Sequence, residues 1–258
     1  MLVIEKLSFS FPGRTLLDSV SVQLRTHAVT CLLGGNGSGK TTLFNLITGF
    51  LRPDAGSIRL GETEITNRAP FRISRAGVAR TFQDLRLIGK LSVRENILLA
   101  LTRPPDERLG RALLPMGARA FFLSSSTDEK PEAGNQNEPP TSNADTLLAE
   151  YFLAEVADQP ASEISYGQQK LLTLACCAAL DASLLLLDEP VAGISPEYRE
   201  RIAERLASLK AAGKTILLIE HQPDFLERTG DAFLYLQAGR LHRFDTLTAL
   251  RIAHDALS

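Results

Sequence analysis

Two patterns of apolar and polar positions divide the chain. Residues 2 to 33 mostly alternate, as in Val20-Ser21-Val22-Gln23-Leu24, and a Pro12-Gly13 turn interrupts them. This alternation predicts strands with one buried face. The runs Leu184–Leu187 and Thr215–Ile219 are instead continuously apolar or β-branched, which is typical of strands buried on both faces.

Between these two runs, the spacing of apolar residues changes to that of a helix. Ile202, Leu206 and Leu209 share one helical face within 196 to 212. Pro196 favours a helix start there, and Gly213 favours its end. Strand, helix and strand in this order predict a mainly parallel sheet in an α/β fold, next to an N-terminal antiparallel β layer.

The middle of the chain, about residues 86 to 182, is predicted to be an inserted α-helical subdomain. It separates an N-terminal part of the core, 1–85, from a C-terminal part, 183–258, within one domain, 1–258. Residues 124 to 146 contain no leucine, isoleucine, valine, methionine or aromatic side chain. Such a composition cannot bury enough apolar surface to fix a conformation, so we expect a flexible insertion at 124–146.

Composition excludes several function classes. The 258 residues carry 28 basic and 30 acidic side chains, a net charge of −2, so no broad positive field favours nucleic acid. The three cysteines lack the spacing of a zinc site or a disulfide framework, and reduced buried thiols fit better. The first residues do not resemble a secretion signal. No apolar run reaches the ~20 residues that span a bilayer.

The strongest chemical signal is the glycine-rich segment Gly34 to Thr41, between an apolar strand and a helix-like run. Its spacing is that of a phosphate loop, in which backbone N–H groups surround a polyphosphate at a helix N-terminus. Lys40 would neutralise the phosphates and Thr41 would bind Mg²⁺. The candidate nucleotide ligands here are Gly34, Gly35, Asn36, Gly37, Ser38, Gly39, Lys40, Thr41 and Thr42.

A second signal follows the four leucines that end at Leu187. Asp188 and Glu189 stand at the carboxyl end of a predicted parallel strand, where such sheets place their ligands. An Asp-Glu pair alone is weak evidence of a site, but a phosphate loop requires an acidic partner. We expect Asp188 to orient Mg²⁺ and Glu189 to activate the attacking water.

The segment Ile164-Ser165-Tyr166-Gly167-Gln168-Gln169, before a helical run, resembles the signature of the ATP-binding cassette (ABC) ATPases. The chain is similar to that family over nearly its whole length, which implies a phosphate-loop NTPase core that binds ATP and Mg²⁺. In the family, Ser165, Gly167 and Gln168 would meet the ATP held by a second ATPase subunit. Alone, the same residues could simply cap a helix.

The resemblance implies three further site residues. Phe11 matches the aromatic side chain that stacks on adenine. Gln83 matches the glutamine that approaches Mg²⁺ and the attacking water. His221 matches the histidine that contacts the γ-phosphate, so the implied catalytic set is Glu189, His221 and Gln83, and the implied metal set is Thr41, Gln83 and Asp188. One departure is Ser195, since many members carry an aspartate in that loop.

Within the family, the chain looks most like the ATPase subunits of importers of branched-chain amino acids or urea. The likeness lies in the segments Arg80-Thr81-Phe82-Gln83 and Ile219-Glu220-His221. That likeness implies an ATPase on the cytoplasmic face of the inner membrane. Its partners would be a same or sister ATPase, integral membrane permeases and, indirectly, a periplasmic solute-binding protein. The alternative is a soluble ABC ATPase without a permease, as in iron–sulfur cluster assembly. The solute is not encoded in these motifs.

Overall fold

The computed structural model describes residues 1–82, 85–102 and 140–257. The strands are β1 (Leu2–Phe11), β2 (Arg14–Gln23), β3 (Val29–Leu33), β4 (Ala55–Leu60), β5 (Thr63–Glu64), β6 (Val78–Arg80), β7 (Leu184–Asp188), β8 (Thr215–Ile219), β9 (Ala232–Gln237) and β10 (Arg240–Phe244). The helices are α1 (Lys40–Ile47), α2 (Pro70–Arg75), α3 (Val93–Leu101), α4 (Pro140–Glu150), α5 (Tyr166–Ala179), α6 (Pro196–Ala211), α7 (Pro223–Thr229) and α8 (Leu247–Leu257), with a 3₁₀ turn at Ala154–Val156.

The larger sheet has the strand order β10-β9-β3-β8-β7-β6. All neighbours pair in parallel except β9 and β10, which are antiparallel. The chain leaves β3 through α1 and leaves β7 through α6 before it enters β8. The prediction of a mainly parallel sheet is confirmed. The two continuously apolar runs, β7 and β8, lie in its centre and are buried throughout.

The smaller sheet is antiparallel, in the order β2-β1-β4-β5. Its strands show the alternation that the sequence predicted, with Leu2, Ile4, Leu7 and Phe9 of β1 buried. Lys6 and Ser19 have positive φ values of 47° and 53°, where the register of β1 and β2 shifts. The N-terminal β layer is therefore confirmed.

Two hydrophobic cores lie on opposite faces of the parallel sheet. Along β7, Leu184 and Leu186 join the core with α1 and the antiparallel layer, whereas Leu185 and Leu187 join the core with α3, α5 and α6. Successive side chains of a strand point to opposite faces, so four consecutive leucines can supply both cores. Strand β7 is therefore packed against a hydrophobic core on each of its two faces.

Helices α3, α4 and α5 lie in the middle of the chain, within the segment predicted to be an inserted helical subdomain. Helix α3 begins with a capping box of Ser92 and Glu95, and Asn96 bonds the preceding loop. The prediction of a loop over 124–146 is wrong for residues 140–146, which form the start of α4. Ala144 and Leu148 of that helix are buried in the core, and this burial compensates for the weak apolar character of the segment. Residues 124–139 lie outside the described part.

Among the described residues, no helix has both the length and the apolar character needed to cross a bilayer.

Candidate phosphate-binding and catalytic site

Three predicted motifs meet at one edge of the parallel sheet. The glycine-rich loop follows β3, Glu189 follows β7, and His221 comes two residues after β8. Since β3, β8 and β7 are adjacent and parallel, their carboxyl ends share an edge. Ligands bind at this edge in open α/β sheets.

The glycine-rich loop has a backbone that few other residues could adopt. Gly34, Gly37 and Gly39 have φ values of 150°, 73° and 109°. A Cβ atom on Gly34 would lie 2.5 Å from the carbonyl oxygen of Leu236. Gly39 is the N-cap of α1 and lies in the left-handed region, which directs the chain from the loop into the helix. The loop therefore ends at a helix N-terminus, which favours an anion.

The polar groups of the loop fit a polyphosphate. The Lys40 ammonium is buried and donates to the carbonyl oxygens of Gly34 and Gly35, at 2.7 and 3.1 Å. Burial lowers the pKa of Lys40, and the negative charges of Glu189 and Asp188 oppose this change. The lysine is thus within electrostatic reach of both carboxylates.

A buried hydroxyl adds to this fit. The Ser38 Oγ is inaccessible to solvent and has no hydrogen-bond partner among the described residues. A buried hydroxyl without a partner is costly, so a phosphate oxygen at this position would satisfy it. Thr41 is exposed at the first turn of α1, and Thr42 is half-buried.

The turn between β1 and β2 lies against the loop. The Arg14 guanidinium donates to the carbonyl oxygen of Gly37 at 3.1 Å. Phe11, paired with Arg14 across the turn, is 47% exposed and packs edge-on against Phe9, with ring centroids 5.0 Å apart. The Phe11 ring is thus exposed, as stacking on a base requires, on the same turn as the arginine that contacts the loop.

Asp188 is buried at the end of β7. Two residues hold it in place: Arg80, which ends β6, and Thr81, which follows Arg80. Its carboxylate pairs with the Arg80 guanidinium at 3.4 Å, and its backbone N–H donates to the Thr81 hydroxyl at 3.1 Å. Arg80 also donates to the Asn45 side chain of α1 at 2.7 Å. Burial raises the pKa of Asp188, whereas the positive charge of Arg80 lowers it. The arginine therefore favours the ionised carboxylate that a metal ligand requires.

Glu189 and His221 are brought together from two strands. The imidazole Nε2 lies 3.5 Å from the Glu189 carboxylate oxygen. Both side chains reach solvent, with 25% of Glu189 and 44% of His221 exposed. A carboxylate and an imidazole at this distance, open to solvent, can both contact one water molecule.

The loop before His221 is fixed by a buried carboxylate. Glu220 accepts hydrogen bonds from the backbone N–H groups of His221, at 2.9 Å, and Val191, at 3.4 Å. Burial raises the pKa of Glu220, and these backbone donors lower it. Glu220 thereby ties the histidine loop to the loop that follows Glu189.

The signature residues begin helix α5. Ser165 is its N-cap and forms a capping box with Gln168. The Ser165 hydroxyl is also 3.3 Å from the Tyr198 hydroxyl of α6. A Cβ atom on Gly167 would lie 2.5 Å from the Tyr198 ring, so only glycine leaves room for that ring. Ser165 thus caps the helix and keeps an exposed hydroxyl at its N-terminus.

The metal set is incomplete in the described part of the chain, because Gln83 lies outside it. Across 1–82, 85–102 and 140–257, no group of three or more His, Cys, Asp or Glu side chains could hold a metal ion. Mg²⁺ usually binds through one or two carboxylates together with substrate phosphates, which Asp188 and Thr41 could accommodate.

Four residues around the site were missed by the sequence interpretation. Arg80 supports Asp188, Glu220 supports the His221 loop, Tyr198 contacts Ser165, and Lys170 of α5 contacts the backbone of Glu189. Their positions carried a weak signal: each lies near a motif or on the buried stripe of a helix. Ser195, the departure noted above, is the N-cap of α6 without a side-chain capping bond.

Comparisons with known proteins agree with this arrangement. A family model described as ABC transporter matches residues 17–192. The chain is 34% identical over 240 residues to the high-affinity branched-chain amino acid transport ATP-binding protein LivG of Salmonella typhimurium, covering 93% of this chain and 89% of that protein. It is 35% identical over 234 residues to a probable LivG of Archaeoglobus fulgidus, covering 91% and 84%.

Solved structures share the whole architecture. A nucleotide-free ATP-binding cassette from an ABC transporter superposes with a TM-score of 0.80 at 28% identity, covering 99% of this chain and 95% of that one. The ADP conformation of another such cassette gives 0.78 at 29% identity, covering 97% and 93%. The family match covers more than half of the chain, and its motifs lie at one sheet edge. The chain therefore belongs to the ABC transporter family and is one of its nucleotide-binding ATPases.

Proposed function

We propose that this ATPase energises an importer of branched-chain amino acids, urea or a related small solute. The observation that carries the catalytic part is the 3.5 Å approach of His221 to Glu189, at the sheet edge that also holds the glycine-rich loop. The solute class is supported by the relatives, which are branched-chain amino acid transport ATP-binding proteins.

Each site residue has a proposed role. Lys40 and the loop N–H groups bind the phosphates, and Phe11 stacks on adenine. Thr41, Asp188 and Gln83 would hold Mg²⁺, which when bound would neutralise charge on the transferred phosphoryl group. Glu189 accepts a proton from the attacking water, and His221 orients that water. The exposed carboxylate and imidazole support these last two roles.

A second subunit completes the site in this proposal. The Ser165 hydroxyl lies at the N-terminus of α5, where it accepts from the Gln168 N–H and lies 3.3 Å from the Tyr198 hydroxyl, and a helix N-terminus favours an anion. We infer that Ser165, Gly167 and Gln168 bind the γ-phosphate held by the partner ATPase. The partner is the same chain or a sister chain.

A membrane permease is the other proposed partner, which would hold the ATPase on the cytoplasmic face of the inner membrane. A basic and apolar patch supports its docking: Arg86, Ile88 and Lys90 are exposed, and the Arg86 guanidinium lies 6.0 Å from the ring centroid of Phe50, which is 42% exposed. The Arg86 guanidinium stacks over the Phe82 ring, 3.5 Å from its centroid. Phe82 precedes Gln83 in sequence, so this patch would connect the permease to the water site through a short segment.

The alternative is a soluble ABC ATPase that acts without a permease. The relatives are transport ATP-binding proteins and favour the importer, and no contact of the described residues favours the alternative specifically. The two differ in a measurable property, since only the importer subunit should be recruited to membranes by its permease.

The experiment is reconstitution with the permease subunits in vesicles that enclose the ATPase and ATP, with a matching solute-binding protein outside. We expect uptake of leucine-like amino acids or urea with ATP consumption in the presence of the wild-type chain. Glu189→Gln should bind ATP and be recruited, but should lower hydrolysis and uptake by about 100-fold or more, because no carboxylate accepts the proton.

A matched variant tests the docking step. Lys90→Glu should reduce recruitment and uptake while the isolated subunit keeps its ATPase rate, because the substitution changes an exposed charge away from the site. Normal uptake by Lys90→Glu and Arg86→Glu would remove the patch from the interface. ATP hydrolysis without any membrane recruitment would favour the soluble alternative.

A further inference from the structure

Lys170 is a buried cation in the first half of α5. The buried residues of this helix follow a helical stripe that includes Gly167, Leu171 and Leu174, and Lys170 lies on the same stripe with 6% of its surface exposed. A charged side chain on a buried face is costly unless it is paired. Its position therefore demands a specific partner.

That partner is the backbone of the proposed catalytic base. The Lys170 ammonium donates to the carbonyl oxygen of Glu189 at 3.0 Å. The same ammonium lies 5.5 Å from the centroid of the Tyr166 ring, one helical turn earlier. Lys170 thus joins the helix that carries the signature residues to the loop that follows β7.

The backbone of Glu189 is strained at this point. Its φ value is 49°, in the left-handed region, which non-glycine residues rarely adopt because it strains the backbone. Its N–H donates to the carbonyl oxygen of Ile219 at 2.9 Å. With the carbonyl bonded by Lys170, both polar groups of this residue's backbone are fixed, and the surroundings hold the strained conformation.

We propose that Lys170 is a positioning residue that holds the Glu189 backbone in the conformation from which its carboxylate reaches the attacking water. The proposal rests on the role of Glu189 given above. Because Lys170 follows the N-terminus of α5 by less than two turns, a small shift of that helix moves the ammonium together with Ser165. Engagement of the partner's nucleotide by α5 is thereby coupled to the geometry of the base in the same subunit.

The test compares three variants of the whole chain. Lys170→Met keeps a flexible side chain of similar length but cannot donate, so kcat should fall by about 10- to 100-fold while the KM for ATP changes little. Lys170→Arg keeps a donor and should restore most of kcat. Lys210→Met is the matched control. Lys210 of α6 pairs with Asp231, away from the site, so loss of this ion pair should lower the melting temperature and spare kcat.

The same measurements on Glu189→Gln separate this proposal from the proposed function. Normal turnover of Glu189→Gln would remove the base role and the positioning proposal with it. Loss of turnover in Glu189→Gln, with wild-type kcat in Lys170→Met, would overturn only the proposal on Lys170. In the double variant we expect no further loss beyond Glu189→Gln, because both changes act on one step. If Lys170→Met does not fold, Lys170→Leu, which also cannot donate, replaces it, and an unchanged kcat there contradicts the proposal.

Discussion

The hydroxyl of Ser165 shows how one side chain can serve both structure and chemistry. Its oxygen accepts from the Gln168 backbone N–H and lies 3.3 Å from the Tyr198 hydroxyl. A phosphate oxygen can only accept, so the Ser165 proton must point at the phosphate in the assembled site. The Tyr198 hydroxyl then has to donate to Ser165. Tyr198 therefore orients this hydroxyl in our proposal.

Tyr198→Phe tests that orientation. The variant keeps the ring that packs on Gly167 and loses one hydrogen bond, worth about 1 kcal/mol, so ATP-dependent association and hydrolysis should weaken about 5-fold. ATP binding to the isolated subunit should not change, because its own glycine-rich loop is intact. Tyr151→Phe, at a buried tyrosine in the helical part, controls for the general effect of removing a hydroxyl. Equal rates in all three proteins would contradict the role of Tyr198.

At the scale of elements, the glycine-rich loop depends on two adjacent glycines in different ways. A Cβ atom on Gly34 would collide with the Leu236 backbone, whereas a Cβ atom on Gly35 would meet nothing within 4 Å. Gly34→Ala should lower the free energy of unfolding by about 2 to 4 kcal/mol. Gly35→Ala should lower it by less than about 1 kcal/mol. Urea unfolding of both variants measures the difference, and equal losses would show that the close approach to β9 is unimportant.

Helix α4 allows a test of where the insertion ends. Replacing 124–139 with a Gly-Ser linker should leave the melting temperature nearly unchanged, since that segment has the composition of a loop. Replacing 124–146 should lower it by several degrees, because the buried Ala144 and the ion pair between Asp145 and Arg94 are lost with the first turns of the helix. Thermal unfolding of the two shortened proteins measures the difference. A large loss from the shorter replacement would place core-forming contacts within 124–139.

At the scale of the whole molecule, the proposed active site is divided between two subunits. Ser165→Arg should bind ATP but fail to hydrolyse it, because bulk and charge enter the partner's site. Lys40→Ala should lose ATP affinity and rate together, since its ammonium lies in the phosphate loop. A heterodimer of the two variants keeps one composite site with both elements intact, so mixing should restore part of the activity. Full activity of Ser165→Arg alone would refute the shared site.

Much of the site could be predicted from sequence because its parts are local. The spacing of glycines in 34 to 41 specifies a loop that needs positive φ values, and three of those glycines have them. The apolar runs of β7 and β8 identify parallel strands, and the residues after such strands necessarily share an edge. The phosphate loop, Glu189 and His221 therefore had to come together once the strand order was known. Their roles in catalysis stay predictions.

Sequence alone determined the α/β class, the antiparallel layer, the phosphate loop and the family, since each depends on periodicity or on spacing within a few residues. Tertiary structure decided the contacts that join distant elements: Arg80 with Asp188, Tyr198 with Ser165, and Lys170 with Glu189. It also decided helix α4, whose residues 140–146 have the composition of a loop but whose Ala144 and Leu148 are buried. The contacts between distant elements and the formation of helix α4 have the same physical reason. Burial and pairing depend on which surfaces meet in three dimensions, and no local pattern of residues records that meeting.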